Sequence, residues 1–101
     1  MKPKHFSQSR KDFYKNFKKS LQNQYSWVIG SKNRTIDILV FDIRKDVQLF
    51  KIISPSENDN VKIWVEKLKS IYVLSWYKAS YTLVYVDENF IEQKRETFIL
   101  N

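Results

Sequence analysis

The first 24 residues carry the hydrophobic pattern of an amphipathic helix. The segment Ser9-Arg10-Lys11-Asp12 has the form of a capping box and predicts a helix over roughly residues 10–23. At about 100° per residue, the large apolar side chains share one face of this helix (Phe6, Phe13, Tyr14, Phe17 and Leu21). Four lysines share the opposite face (Lys11, Lys15, Lys18 and Lys19). The pattern therefore predicts an aromatic inner face and a lysine outer face.

Strand patterns follow this helix. Residues 25–29 are aromatic and β-branched, residues 30–33 have turn composition, and residues 35–43 and 47–53 are rich in Ile, Val, Leu and Phe. These last two segments predict a hairpin. Because both alternating faces of 35–43 are apolar at the centre, this strand is expected to lie inside the sheet.

The middle of the chain predicts a second helix. Ser54, Pro55 and Glu57 form a capping box with proline at the first helical position. The apolar spacing that follows extends the helix to about residue 69 (Val61, Trp64, Val65 and Leu68).

The last third of the chain returns to strand patterns. We expect strands over residues 72–77, 81–86 and 90–99, the last an edge strand blunted by charge. The order is then α-β-β-β-α-β-β-β. This order predicts an α+β fold with a mainly antiparallel sheet and two amphipathic helices packed on one of its faces. The whole chain, residues 1–101, is expected to form a single domain in which residues 1–8 are a flexible basic arm.

Composition excludes several classes of chemistry. The chain has no cysteine, one histidine (His5) and one glycine (Gly30). It therefore lacks the residues for disulfides, a thiol nucleophile, a zinc ribbon, an HExxH metal site or a glycine-rich phosphate loop. We expect no cofactor, no metal site and no catalytic residue.

Charge is concentrated at the amino terminus. Residues 1–24 have seven Lys or Arg against Asp12 alone, whereas the rest of the chain has eleven against ten acidic residues. Such asymmetry indicates a polyanionic partner. The leading interpretation is a non-enzymatic nucleic-acid-binding protein whose site residues are Arg10, Lys11, Lys15, Lys18 and Lys19, with Lys2 and Lys4 on the arm. DNA and RNA, single and double strands, and the oligomeric state all stay open.

Sixteen aromatic residues support an alternative interpretation. If the aromatic faces of the C-terminal strands were exposed, they would stack on bases or bind a protein partner; the candidates are Tyr72, Trp76, Tyr81 and Tyr85. Core packing is the more common use of such faces. A membrane surface is a weaker alternative. With no signal peptide or transmembrane segment in the sequence, we expect a cytoplasmic protein.

Enzymatic interpretations have little support. Comparison with metal-dependent nucleases of the PD-(D/E)xK type would assign Asp37 and Lys51 to the site, but Leu49 stands where an acidic residue is required. Asp42 and Asp46 flank a turn, where aspartates usually bond local backbone. A ribonuclease cutting with Lys, Arg and Tyr alone is permitted by the composition but not indicated by it.

Overall fold

The computed structural model describes residues 9–42, 44, 46–75 and 77–101. In chain order the elements are α1 (Arg10–Gln24), β1 (Trp27–Gly30), β2 (Ile38–Phe41), β3 (Val47–Ile53), a 3₁₀ helix (Pro55–Asn60), α2 (Val61–Tyr72), β4 (Ala79–Val86) and β5 (Glu92–Ile99). No helix in this part of the chain is long and apolar enough to cross a membrane.

The five strands form one mixed sheet in the order β1-β2-β3-β4-β5. Strands β1, β2 and β3 pair antiparallel, as do β4 and β5, but β3 and β4 are parallel. The parallel pair arises because α2 connects β3 to β4, and a parallel neighbour requires such a crossover. The predicted α+β class and mainly antiparallel sheet are confirmed, and β2 lies inside the sheet and β5 at its edge, as expected.

The two helices lie on opposite faces of the sheet, so the expectation that both pack on one face is wrong. Phe13, Phe17 and Leu21 of α1 join one core cluster, and the buried residues of α2 join another (Trp64, Val65 and Leu68). Six of the seven side chains in β3 are buried, with both alternating sets covered. A nearly continuous apolar strand of this kind is typical of a sheet covered on both faces.

The prediction of a strand over residues 72–77 is also wrong for the part of this segment that the structure describes. Helix α2 continues to Tyr72, and Val73 and Leu74 form a turn. Trp76 lies outside the described residues. The period-two pattern of residues 72, 74 and 76 arises where the helix ends, so two strands follow α2 instead of three.

The first helix begins where its capping pattern predicts. The Ser9 hydroxyl accepts a hydrogen bond from the backbone N–H of Asp12 at 3.1 Å. The second capping box instead opens the 3₁₀ helix: Glu57 Oε1 accepts bonds from the Ser54 N–H at 3.0 Å and from the Ser54 hydroxyl at 2.8 Å. These two hydrogen bonds hold the Glu57 carboxylate beside the end of β3.

Candidate nucleic-acid interface

Aromatic packing fixes the orientation of α1. Phe17 is 7% exposed, and its ring lies 6.0 Å from that of Phe13 and 5.6 Å edge-on from that of Phe50 on β3. Aromatic pairs at such distances stabilise beyond the area they bury. With this face held against the sheet, the opposite face of α1 must point away from it.

The four lysines of that opposite face, here called the lysine row, are Lys11, Lys15, Lys18 and Lys19. Lys11, Lys15 and Lys19 are exposed, whereas Lys18 is half-buried with its Nζ 6.0 Å from the centre of the Tyr14 ring. Among the described residues, no carboxylate comes within 4.0 Å of any of the four ammonium groups. The structure therefore presents three exposed and unpaired positive charges along one helix.

Arg10 differs from the lysine row. Its guanidinium lies 3.8 Å from Asp37 Oδ2 and contacts Glu57 Oε1, and it stands 5.7 Å from the centre of the Phe90 ring. Two carboxylates therefore already balance its charge. Of the five predicted phosphate-binding residues, Arg10 is the one whose charge is paired with carboxylates among the described residues.

The contacts of Arg10 belong to a partly buried ion-pair cluster of Arg10, Asp37, Lys51 and Glu57. The Lys51 side chain is only 7% exposed, and its Nζ lies 3.5 Å from Asp37 Oδ2 and 3.6 Å from Glu57 Oε2. Asp37 Oδ2 also accepts a hydrogen bond from the backbone N–H of Ile52 at 2.8 Å. The cluster joins the start of α1, the residue before β2, the end of β3 and the 3₁₀ helix.

The electrostatics of the cluster favour the ionised form of Glu57. Burial alone would raise the pKa of Glu57, but the two hydrogen bonds from Ser54 and the charges of Lys51 and Arg10 together lower it below its ordinary value. Lys51 is also 5.3 Å from the centre of the Trp64 ring, a distance at which the ring attracts a cation. The buried ammonium thus has compensating partners on several sides.

The structure brings Asp37 and Lys51 together, as the nuclease comparison required, but it does not place an acidic residue beside them on β3. Leu49 is fully buried in the core beneath α2. The second carboxylate is Glu57, for which the sequence pattern predicts only a role in a helix cap. The cluster pairs two carboxylates with two cations, and among the described residues there is no group of three or more His, Cys, Asp or Glu side chains that could hold a metal ion.

Asp42 bonds local backbone, as expected for a turn aspartate. Its Oδ1 accepts a hydrogen bond from the Arg44 N–H at 3.0 Å, and its own N–H donates to the Asp46 carbonyl at 2.9 Å. These contacts assign the residue to the turn between β2 and β3.

The C-terminal aromatic residues do not form a stacking platform in the described part of the chain. Tyr81 is fully buried, its hydroxyl donates to the Thr35 carbonyl at 2.6 Å, and burial raises its pKa. Tyr85 is half-buried and donates to Glu96 at 2.6 Å, and Tyr72 is half-buried against the core beneath α2. Trp76 lies outside the described residues. Core packing is therefore the interpretation that fits Tyr81.

A different surface exposes apolar side chains. A groove of about 1150 Å³ lies between the start of the sheet and the end of α2, and we call it the apolar groove. Six of its large apolar lining residues are at least 37% exposed (Trp27, Ile29, Phe41, Ile71, Leu74 and Tyr77). The sequence did not predict this surface: residues 25–29 carried only a strand pattern, and residues 35–43 were expected to lie inside the sheet.

Comparison with known protein families, with curated proteins and with solved structures finds no match to this chain.

Proposed function

We propose that this protein binds nucleic acid without catalysing a reaction, and that the lysine row of α1 is its phosphate-binding surface. The observation that carries the proposal is the set of three exposed lysines, Lys11, Lys15 and Lys19, with no carboxylate within 4.0 Å among the described residues. Phosphate contacts of this kind supply affinity and salt dependence but little sequence preference.

The dimensions of the row suit a phosphate backbone. At a helical rise of about 1.5 Å per residue, Lys11 and Lys19 are separated by about 12 Å along α1. One strand of duplex DNA carries a phosphate every 3.4 Å or so along its axis, so the row spans about four phosphates. Exposed amide and hydroxyl side chains on the same helix add neutral hydrogen-bonding groups (Asn16, Ser20, Gln22 and Asn23).

The distribution of charge over the rest of the chain also supports α1 as the phosphate-binding element. Residues 25–101 have a net charge of only +1, whereas residues 1–24 have a net charge of +6. Helix α2 also exposes Lys62, Lys67 and Lys69, but Glu66 is exposed among them. Helix α1 has its one acidic residue, Asp12, in the first turn at the cap.

The test is a binding titration with fluorescently labelled duplex DNA, single-stranded DNA and single-stranded RNA at low salt. The variant Lys11→Glu/Lys15→Glu/Lys19→Glu reverses the exposed charges of the row while leaving the buried face of α1 unchanged. We expect its affinity to fall by well over tenfold, since each lost phosphate contact weakens binding. The three ligands also decide which type of nucleic acid the row prefers.

A matched control is Lys62→Glu/Lys67→Glu/Lys69→Glu on α2, which changes the net charge by the same amount. The proposal requires the α1 variant to lose much more affinity than the α2 variant. Equal losses would assign binding to net charge alone, and no binding by the wild-type protein at low salt would refute the proposed function.

A second candidate function is that of a protein-interaction module. The apolar groove favours it, because contiguous exposed apolar surface of this kind marks interaction sites. This surface differs from the C-terminal aromatic faces predicted from the sequence, of which Tyr81 is fully buried and Tyr72 and Tyr85 are half-buried. Binding that persists at high salt and without nucleic acid would distinguish this function from phosphate binding.

A cytoplasmic location is part of the proposal. The absence of cysteine from the sequence is compatible with the reducing environment of that compartment.

A further inference from the structure

The two edges of the sheet differ in their protection against pairing with another strand. Strand β5 carries charged side chains along its length, including Glu92, Lys94, Arg95 and Glu96. Strand β1 has the sequence Trp-Val-Ile-Gly, with no charged residue and no proline. Charges and prolines on an edge strand discourage pairing with a further strand. Only the β5 edge carries such protection within the strand itself.

The unprotected edge borders the apolar groove. Trp27 is 54% exposed and Ile29 is 52% exposed, and both side chains lie on the groove side of β1. An aromatic side chain presents about 150–250 Å² of surface, so the exposed parts of the six apolar groove residues amount to roughly 600 Å². This lies at the upper end of the roughly 300–600 Å² of the largest apolar patch on a typical monomer, and Trp27 and Ile29 bring part of it to the β1 edge.

The chemistry of the groove suits a protein partner rather than a polyanion. Among the residues that the structure describes, Asp42 is the only charged residue that lines it, and no described Lys or Arg does so in a chain of net charge +7. A partner with its own free strand edge would pair with the outer backbone groups of β1 and contact the exposed side chains of Trp27 and Ile29.

We propose that this partner is a second copy of the chain, joined through antiparallel pairing of β1 with β1 across a two-fold axis. In such a pairing, centred on Val28, Trp27 of one copy lies opposite Ile29 of the other on the same face. Aromatic and β-branched residues are favourable cross-strand neighbours. Within one copy Trp27 already pairs with Phe41 and Ile29 with Leu39, so one apolar row would cross the ten-stranded sheet.

Symmetry favours a second copy over an unrelated strand. An edge that is complementary to itself around one point forms a closed dimer, because each copy contributes the same patch. The pairing consumes both β1 edges and leaves only the two charged β5 edges free. Closure in this way prevents further growth of the sheet.

The proposal does not rest on nucleic-acid binding, but it predicts the arrangement of the two α1 helices. The Tyr14 side chain of α1 packs so closely over Gly30 of β1 that a Cβ there would overlap its hydroxyl. Both copies of α1 would therefore lie on the same face of the joined sheet. The dimer would present two lysine rows on that face and two apolar grooves on the other.

The experiment is sedimentation velocity of the wild-type protein across the micromolar range at high salt, where nucleic-acid binding is suppressed. We expect a dimer of twice the 12.3 kDa chain mass, in equilibrium with monomer at the dilute end. Ile29→Lys places a charge on the pairing edge and should raise the dimer dissociation constant by at least about tenfold. The matched control is Ile99→Lys on β5, where the isoleucine is 66% exposed at the opposite edge, and it should leave the dimer unchanged.

Amide hydrogen exchange of the wild-type protein provides a second readout that needs no variant. The β1 amides should become more protected as concentration rises, while the β5 amides should not. A wild-type monomer throughout the range, or a dimer that Ile29→Lys leaves intact, would overturn the proposal. So would concentration-dependent protection confined to β5. Tight capture of a foreign protein by a wild-type monomer would assign the groove to that partner instead.

Discussion

The sharpest structural prediction concerns Lys51, a buried ammonium beside two carboxylates. Replacing it with methionine keeps the approximate length of the side chain and removes the charge. Asp37 and Glu57 would then have Arg10 as their only cationic partner within the cluster. The substitution therefore tests whether the cluster stabilises the fold.

The magnitude follows from burial. Removing one partner of a buried ion pair typically costs about 3–5 kcal/mol, because the other charge is left without compensation. The Asp37 and Glu57 side chains keep 19% and 22% of their exposure, so water relieves part of the penalty. We expect a loss of about 3 kcal/mol in the free energy of unfolding, which for a domain of this size lowers Tm by roughly 12–24 °C.

The assay is thermal and chemical denaturation followed by circular dichroism, with Lys62→Met as the control. Lys62 is exposed on α2 and has no ion pair among the described residues, so its replacement should change stability by less than about 0.5 kcal/mol. The deficit of Lys51→Met should also shrink as pH falls below the ordinary pKa range of carboxyl groups, since protonation removes the uncompensated charge. A Lys51→Met protein that melts within a few degrees of the wild type at neutral pH would refute this account of the cluster.

Three further predictions concern the core, the acid response and catalysis. Phe17→Ala should lower the free energy of unfolding by about 3–5 kcal/mol in urea denaturation, and melting within a degree or two of the wild type would contradict the placement of α1. Because folding lowers the pKa of Glu57, its contribution is fully present above the unfolded value of about 4.5 and is lost as pH falls through the folded value, so Glu57→Gln should flatten the acid side of the stability profile. Asp37→Asn and Asp42→Asn should leave oligonucleotide binding unchanged, and metal-dependent cleavage that Asp37→Asn abolishes would overturn the non-enzymatic proposal.

Local sequence patterns predicted the elements that depend on local physics. The amphipathic period and the Ser9 cap located α1 to within a residue, and the apolar run of residues 47–53 located β3. Both signals arise from contacts within the element and from one covered face. Strand β2, at Ile38–Phe41, is shorter than predicted. Thr35 and Ile36 are buried, but they precede the residues that pair with neighbouring strands.

The features that depend on tertiary arrangement could not be predicted from local sequence patterns. Whether β4 pairs parallel to β3 depends on where α2 crosses, and the helix itself fits either face of the sheet. Arg10 was grouped with the lysines because sequence gives its charge but not its partners. Glu57 was identified as a cap, and only the fold brings its second oxygen to Lys51.

The measurement that tests the central proposal most directly is the salt dependence of duplex DNA binding. It compares the wild-type protein with Lys11→Gln/Lys15→Gln/Lys19→Gln on α1 and with Lys62→Gln/Lys67→Gln/Lys69→Gln on α2. Each triple substitution lowers the formal net charge of +7 by three charges. Net charge alone therefore cannot distinguish the two variants.

If the three exposed lysines of α1 contact phosphates, the slope of log K against log salt concentration should flatten by up to about 2.7 in the α1 variant, at about 0.9 for each lost contact. The α2 variant should keep a slope close to that of the wild type. Equal slopes in the two variants, or an unchanged slope in the α1 variant, would contradict the assignment of phosphate binding to the lysine row.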